Sequence, residues 1–161
     1  MTVRISLGAF TDRLDKLPAD LEAACLRGLR SAAMRLEGMI PEAIQSTAPY
    51  PPNDTGELMR SHYSQPTPRG AVAGVSAPHA PFMEYGTRPH CPPEQPLAEW
   101  AYRKGLADSE EEAQQMARAI CRKIAREGLA PRHFLARAVR MLMDRGIVEE
   151  ELRRELHEVR P

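Results

Sequence analysis

A few side chains that could bind a metal ion or attack a substrate are scattered along the chain. Histidine and cysteine are common zinc ligands, and a cysteine near a histidine can act as a nucleophile with its base. The residues that could do this chemistry are His62, His79, His90, Cys91 and His133. None has a close zinc-binding spacing, and no group that would orient a catalytic base can be identified. A solvated loop is the simpler interpretation of the adjacent His90 and Cys91, so we expect no catalytic residue, no metal and no cofactor.

A second set of side chains could contact nucleic acid. The residues are Arg118, Arg122, Lys123 and Arg126, of which the first two lie one helical turn apart and could face phosphates. The alternative is a solvated helix face whose charge is balanced by Glu110 to Glu112. The whole chain has 22 basic and 22 acidic residues, so it lacks the charge excess of an autonomous nucleic-acid-binding protein. We retain the four residues as candidates for facing DNA.

Composition predicts one domain over residues 1–161 in a reducing compartment. The 161 residues are 42% hydrophobic but only 5% aromatic, which favours a helical core of small and aliphatic side chains. The three cysteines are widely spaced and odd in number, which argues against a disulfide framework. No segment reaches the roughly 20 apolar residues that span a bilayer, so we expect no membrane partner.

The patterning along the chain predicts an α+β fold. Val3, Ile5 and Leu7 alternate with polar residues as in a half-buried strand. From about residue 17 to 45 the apolar positions advance by threes and fours, which indicates a long amphipathic helix that Pro41 should kink or restart. Residues 61–65 and 71–76 flank a turn rich in proline and glycine, which predicts a β-hairpin. We expect a small antiparallel sheet with the long helix packed on it.

The second half of the chain is predicted to be mainly helical. Four prolines in residues 89–96 indicate an extended connector, and Ser109 with Glu112 has the spacing of a capping box. We read residues 92–129 as a helical insertion. Gly128 should end the helix that follows Ser109, and Pro131 should lie in the first turn of the next helix. Residues 147–161 are predicted to form a peripheral C-terminal helix.

Two short glycine-centred motifs flank the predicted hairpin. In the first, Asp54 could cap a short helix with Glu57 in capping-box spacing, and in the second, Gly86 permits a positive φ. The simplest interpretation is that these residues form caps and turns, although an interaction site is the alternative. The motif residues are Asp54, Thr55, Gly56, Glu57 and Leu58, followed by Glu84, Tyr85, Gly86 and Thr87.

The order of these motifs resembles the neck and tail-completion family of long-tailed bacteriophages and prophages. That family has a leading strand, a long helix ending in Ala-Pro, a Thr-Gly-x-Leu-x-x-Ser motif, a hairpin, a Glu-Tyr-Gly-Thr motif and a Pro-x-x-Phe-Leu-x-x-Ala helix. The corresponding segments here are Ala48-Pro49, Thr55 to Ser61, Glu84 to Thr87 and Pro131 to Ala138. The resemblance spans nearly the whole chain, with a longer arm before Asp54 and a longer insertion than the minimal pattern.

The resemblance implies a structural protein of the virion and no reaction. Its place would be the head-tail junction, after assembly in the host cytoplasm. Its partners would be copies of itself in a sixfold or twelvefold ring, neighbouring neck, portal-side and tail proteins, and, without sequence specificity, packaged DNA. A closed ring needs two different complementary faces on each subunit. The expected assembly surface is the proline-rich arm and the hairpin tip, namely Tyr50, Pro51, Pro52, Asn53, Pro66, Thr67, Pro68 and Arg69.

Two other functions remain open from the sequence. The first alternative is a cytosolic DNA-binding or regulatory protein, and the second is a hydrolase. A DNA-binding regulator would normally have a basic excess and a helix-turn-helix, and neither is clear in this chain.

Overall fold

The computed structural model of the protein describes residues 2–4, 18–48, 51–52 and 54–159, with backbone alone at 2–4. The strands in these ranges are β1 (Thr2–Arg4), β2 (His62–Thr67) and β3 (Gly70–Val75). The helices are α1 (Ala19–Gln45), α2 (Glu57–Arg60), α3 (Ala80–Tyr85), α4 (Glu94–Arg103), α5 (Glu110–Glu127), α6 (Phe134–Asp144) and α7 (Ile147–Glu158). The predicted α+β class is confirmed.

The sheet is antiparallel, with β3 between β1 and β2. Thr67 pairs with Gly70, so Pro68 and Arg69 form the two-residue turn of the predicted hairpin. Gly74 pairs with Thr2 on one side and Tyr63 on the other. The predicted strand at the start of the chain is present at residues 2–4, whereas Ile5 and Leu7 lie outside the described residues.

The long helix α1 provides one wall of the main core. Its apolar face is almost fully buried against the sheet, α6 and α7, and it continues through Pro41, where the sequence predicts a kink or a restart. Such an apolar stripe at helical spacing is the signal that located the helix in the sequence. The largest fully buried side chains are Leu36, Ile40, Ile44, Leu58, Val75, Phe134, Leu135 and Leu142.

One carboxylate on α1 ties this helix to the sheet. Glu37 accepts a hydrogen bond from the Ser64 hydroxyl on β2, and its other oxygen lies 3.3 Å from Nδ1 of His62. His62 and Ser64 are two residues apart and therefore share one face of the strand. These polar contacts connect α1 to β2, so the His62 side chain has a structural partner.

The C-terminal helix α7 lies in close contact with α1. A Cβ atom added at Gly28 would lie 3.0 Å from Cα of Leu152 and 3.2 Å from the carbonyl oxygen of Glu151, so the missing side chain allows the two backbones to approach. Glu151 is only 2% exposed, and its carboxylate lies 3.3 Å from Arg35 and 2.7 Å from Arg154. Pairing of this kind offsets the cost of burying a carboxylate.

We expect the contact between α1 and α7 to weaken in acid. The hydrogen bond from Arg27 to Glu155, with a length of 2.7 Å, is the main factor that lowers the pKa of Glu155 below its ordinary value of 4.5. A group with a lowered folded-state pKa stabilises the fold above its unfolded pKa, and this contribution disappears as the pH falls through the folded value. The free energy of unfolding measured in urea should therefore fall below about pH 4.5, and it should fall less in the Arg27→Gln variant.

The Arg126→Gln variant provides the control for this acid effect. Arg126 also lowers the pKa of a carboxylate, but its partner Glu127 is the next residue in the chain. Because such neighbours can also pair in the unfolded chain, Arg126→Gln should change the acid loss less than Arg27→Gln. A pH dependence that Arg27→Gln leaves unchanged would contradict the assignment of this effect to Glu155.

The chain divides into two compact units. The first contains the described parts of residues 1–80 and 133–161, and the second spans residues 81–132. The second unit has its own small core, formed by Ala98, Ala107, Ala113 and Ala117 with Leu97 packed against it. The predicted helical insertion at 92–129 lies within the second unit, and one domain over residues 1–161 stays a prediction.

Several helix ends differ from the sequence-based expectations. Gly56, with φ of 80°, occupies the N-cap of α2 in place of Asp54, and His133 precedes α6, so that Pro131 lies outside the helix. Pro96 lies in the first turn of α4, where the missing N–H has no partner to lose. Ser109 does cap α5, because its hydroxyl accepts a hydrogen bond from the N–H of Glu112 at 3.2 Å. In the described ranges no helix is both long and apolar enough to cross a membrane.

Candidate assembly surface

The second glycine motif lies where the two chain ends of the second unit meet, a place that we call the base of the unit. Thr87 donates its N–H to the carbonyl oxygen of Leu129 at 3.0 Å, and Leu129 donates its N–H to the Thr87 hydroxyl at 3.1 Å. Glycines stand on both sides of this bridge, because Gly86 has φ of 72° and Gly128 has φ of 74°. A Cβ at Gly86 would collide with the Leu129 carbonyl oxygen, and a Cβ at Gly128 would collide with that of Thr87. The motif therefore allows two backbone segments to touch.

The first glycine motif forms a compact turn before the hairpin. The Thr55 hydroxyl accepts a hydrogen bond from the N–H of Glu57 at 3.4 Å, and Arg60 donates to the Thr55 carbonyl oxygen at 3.0 Å. Leu58 is 1% exposed and fastens the turn into the core. Asp54, Thr55 and Glu57 are exposed, so their side chains are accessible.

The predicted assembly surface is accessible where the structure describes it. Tyr50 and Asn53 lie outside the described residues. Within the arm Pro51 is exposed and Pro52 is half-buried, while at the hairpin tip Pro66, Pro68 and Arg69 are exposed and Thr67 is half-buried. None of these positions presents a large apolar side chain, and proline on an edge strand such as β2 reduces its ability to pair with another strand.

Helix α3, which contains part of the second motif, has two large exposed apolar side chains that were not predicted from the sequence. Phe82 is 54% exposed and Tyr85 is 66% exposed, although both are aromatic. They lie three residues apart on α3 and therefore on one side of it, whereas Glu84 between them is buried. We call Phe82 and Tyr85 the α3 aromatic pair. No sequence signal separates the buried glutamate from the two exposed aromatic residues.

The basic row on α5 is exposed but partly neutralised. Arg118 lies 3.6 Å from Glu94, and Arg126 lies 2.6 Å from Glu127. Arg122 and Lys123 are exposed on the same helix. The four residues predicted to face DNA are thus accessible, and carboxylates accompany two of them.

The histidines that suggested metal chemistry do not converge. His62 contacts Glu37, His79 lies 3.9 Å from Glu57, and the ring nitrogen of His90 lies 2.9 Å from the carbonyl oxygen of Arg88. His133 has φ of 49° and is exposed before α6. Over the described residues no three His, Cys, Asp or Glu side chains are placed to hold a metal ion.

The cysteines show one arrangement that the sequence did not reveal. Cys91 and Cys121 line a common groove of about 360 Å³ together with Pro92, Glu94, Arg118 and Arg122. Cys91 is exposed and Cys121 is half-buried, whereas Cys25 is buried in the main core.

Comparison of the chain with protein-family models, with curated proteins and with solved structures finds no match.

Proposed function

We propose that this chain is a structural subunit of the head-tail junction in a long-tailed phage or prophage, where copies form a closed ring between the capsid portal complex and the tail. The observation that carries the proposal is the order of the four sequence motifs along an α+β chain. Within these motifs, Gly86 serves backbone geometry and Leu58 serves packing. Residues of that kind fit a scaffold better than a catalytic site.

The exposed aromatic side chains support an assembly role. Aromatic residues are enriched at protein interfaces, where a few of them supply most of the binding energy. The α3 aromatic pair has two such residues on one short helix, and the N–H of Arg132 donates a hydrogen bond to Met83 of this helix at 2.8 Å. In the proposed ring this pair contributes to one of the two faces that contact neighbouring subunits. The hairpin tip is a second accessible part of the assembly surface.

The DNA-binding alternative has weaker support. Two of the four basic residues on α5 lie beside carboxylates, and the chain has no net charge. Contact with packaged DNA inside a ring would need no base-specific surface, because phosphate contacts alone provide non-specific binding. The basic row is therefore compatible with a ring lumen as well as with a solvated helix.

The test of this function is assembly with the products of the neighbouring genes. We expect the purified chain, mixed with portal, head-closure or tail proteins of the same genome, to form closed rings in light scattering after gel filtration and in negative-stain electron microscopy. A chain that remains monomeric with every such protein, or that binds one DNA sequence tightly by itself, would contradict the proposal.

A double variant tests the α3 aromatic pair. Phe82→Ser with Tyr85→Ser should weaken ring formation by about tenfold or more, because losing interface aromatics commonly costs more than about 1.4 kcal/mol of binding. The melting temperature of the isolated chain should change little, since both side chains are largely exposed. Tyr102→Ser, at a 60% exposed aromatic on α4, is the matched control. Equal assembly by the double variant would exclude this pair from the interface.

A further inference from the structure

Two contacts hold the segment around Cys91 against helix α5. On one side, His90 donates its N–H to the carbonyl oxygen of Ile124 at 3.4 Å. On the other side, the Cys121 thiol donates to the carbonyl oxygen of Pro92 at 3.4 Å. Cys91 lies between these two anchor points, and Cys121 and Ile124 are three residues apart on one face of α5. The chain thus brings two distant cysteines to one place.

The two thiols differ in their surroundings. Cys91 is exposed, whereas burial raises the pKa of the Cys121 thiol above its ordinary value of 9.0, with smaller contributions from Glu94 and Cys91. Cys121 therefore stays protonated at neutral pH, in keeping with its hydrogen bond to Pro92. A disulfide in solution reaches the exposed Cys91 more easily than the half-buried Cys121, so Cys91 reacts first.

We propose that Cys91 and Cys121 form a reversible disulfide that fastens the proline-rich segment to helix α5. The geometry of the two anchors and the shared groove carry this inference, which does not depend on the proposed function. The oxidant is a small-molecule disulfide such as glutathione disulfide. Arg118 and Arg122 lie in the same groove and favour an anionic oxidant, with Glu94 opposing them.

The exchange proceeds in two balanced steps. Cys91 loses its proton to solvent and attacks one sulfur of glutathione disulfide, which breaks the S–S bond and releases one glutathione thiolate that takes up a proton. Cys121 then loses its proton to solvent, gives up its hydrogen bond to Pro92 and attacks Sγ of Cys91, which releases the second glutathione. Two protein thiols are oxidised to one disulfide, and one glutathione disulfide is reduced to two glutathione molecules.

The disulfide would change the stability of the second unit. A cross-link between residues 91 and 121 restricts the unfolded chain, which is the main source of stabilisation by disulfides in the chain-entropy account. Oxidation should therefore raise the midpoint of thermal unfolding, and a reductant should reverse the shift.

The test uses the full-length chain and intact mass measurement. After incubation with glutathione disulfide and alkylation of the remaining thiols, we expect a loss of two hydrogen atoms, one alkylated cysteine and a tryptic cross-link between the peptides of Cys91 and Cys121. Dithiothreitol should restore three alkylated cysteines. A stable glutathione adduct on Cys91 beside a free Cys121, a disulfide between two chains, or three unreacted thiols would each overturn the proposal.

Single variants test the order of attack. Cys121→Ser should trap glutathione on Cys91, and Cys91→Ser should react at least tenfold more slowly than the natural chain. Cys25→Ala should leave the reaction unchanged, because Cys25 is 3% exposed in the main core. Equal reaction rates for the Cys91→Ser variant and the natural chain would overturn the assignment of Cys91 as the attacking thiol.

Discussion

Replacing Gly86 by alanine should destabilise the protein by about 3 kcal/mol, because two separate penalties fall on one residue. The first is its φ of 72°, a conformation that costs a residue with a Cβ roughly 1–2 kcal/mol. The second is steric, since the new Cβ would meet the Leu129 carbonyl oxygen and lie 2.9 Å from the backbone nitrogen of Pro131. Backbone atoms cannot rotate away as a side chain can.

Gly105→Ala separates these two penalties. Gly105 belongs to the same unit and has φ of 64°, but no atom lies within 4 Å of the position its Cβ would take. In urea unfolding, the free energy of unfolding of the Gly105→Ala variant should fall only by the conformational cost. The difference between the losses of the two variants then measures the steric cost of the close approach at Gly86. Equal losses at the two positions would mean that the contact with Leu129 contributes nothing.

Replacing Gly28 by valine should separate α7 from α1. The added side chain starts 3.0 Å from Cα of Leu152, and overpacking of a close interface typically costs about 1–3 kcal/mol. Movement of α7 would also expose Glu151 and weaken its pairing with Arg35 on α1. We therefore expect faster amide hydrogen exchange in α7 as well as a lower free energy of unfolding.

Gly38→Val is the matched control for this contact. Gly38 lies in the same helix with nothing within 4 Å of its Cβ position, so valine there meets solvent. Because glycine is a weaker helix former than valine, this variant should be as stable as the natural chain or slightly more so. Unchanged exchange in α7 of the Gly28→Val variant would show that the helix pair tolerates a wider spacing.

Sequence reasoning succeeded where the determining interactions are local. The apolar stripe of α1 located the helix to within two residues at its start, and the Ser109 cap was predicted from residues three positions apart. The hairpin followed from a turn signal between two short strands, and the structure places that turn at Pro68 and Arg69. In each case the residues that decide the structure are neighbours in the chain.

The missed features depend on contacts between distant residues. Pro131 does not begin α6, because the segment before it approaches Gly86 and the N–H of Arg132 donates to the carbonyl oxygen of Met83 at 2.8 Å. The proximity of Cys91 and Cys121 has the same origin, since it depends on how the proline-rich segment lies along α5. No periodicity in a single sequence encodes such pairings.

The candidate site shows the same difference between local features, which the sequence predicts, and long-range packing, which it does not. The sequence predicted that Gly86 permits a positive φ, and the structure has a φ of 72° there, next to the Leu129 carbonyl oxygen that the sequence did not reveal. The sequence did not identify the α3 aromatic pair as exposed, because phenylalanine is normally buried and glutamate normally exposed, the reverse of what Phe82 and Glu84 show. Exposure is a property of the surrounding packing, which composition does not contain.

The hydrogen bonds at the base of the second unit determine how freely the chain between them can change in length. The bridge between Thr87 and Leu129, and the bond between Met83 and Arg132, hold the two ends of the intervening chain side by side. Loop-closure entropy grows slowly with length, so segments of different size can join ends that are already fixed. We therefore expect the chain between these ends, residues 89–127, to tolerate changes in length as long as the two ends stay paired.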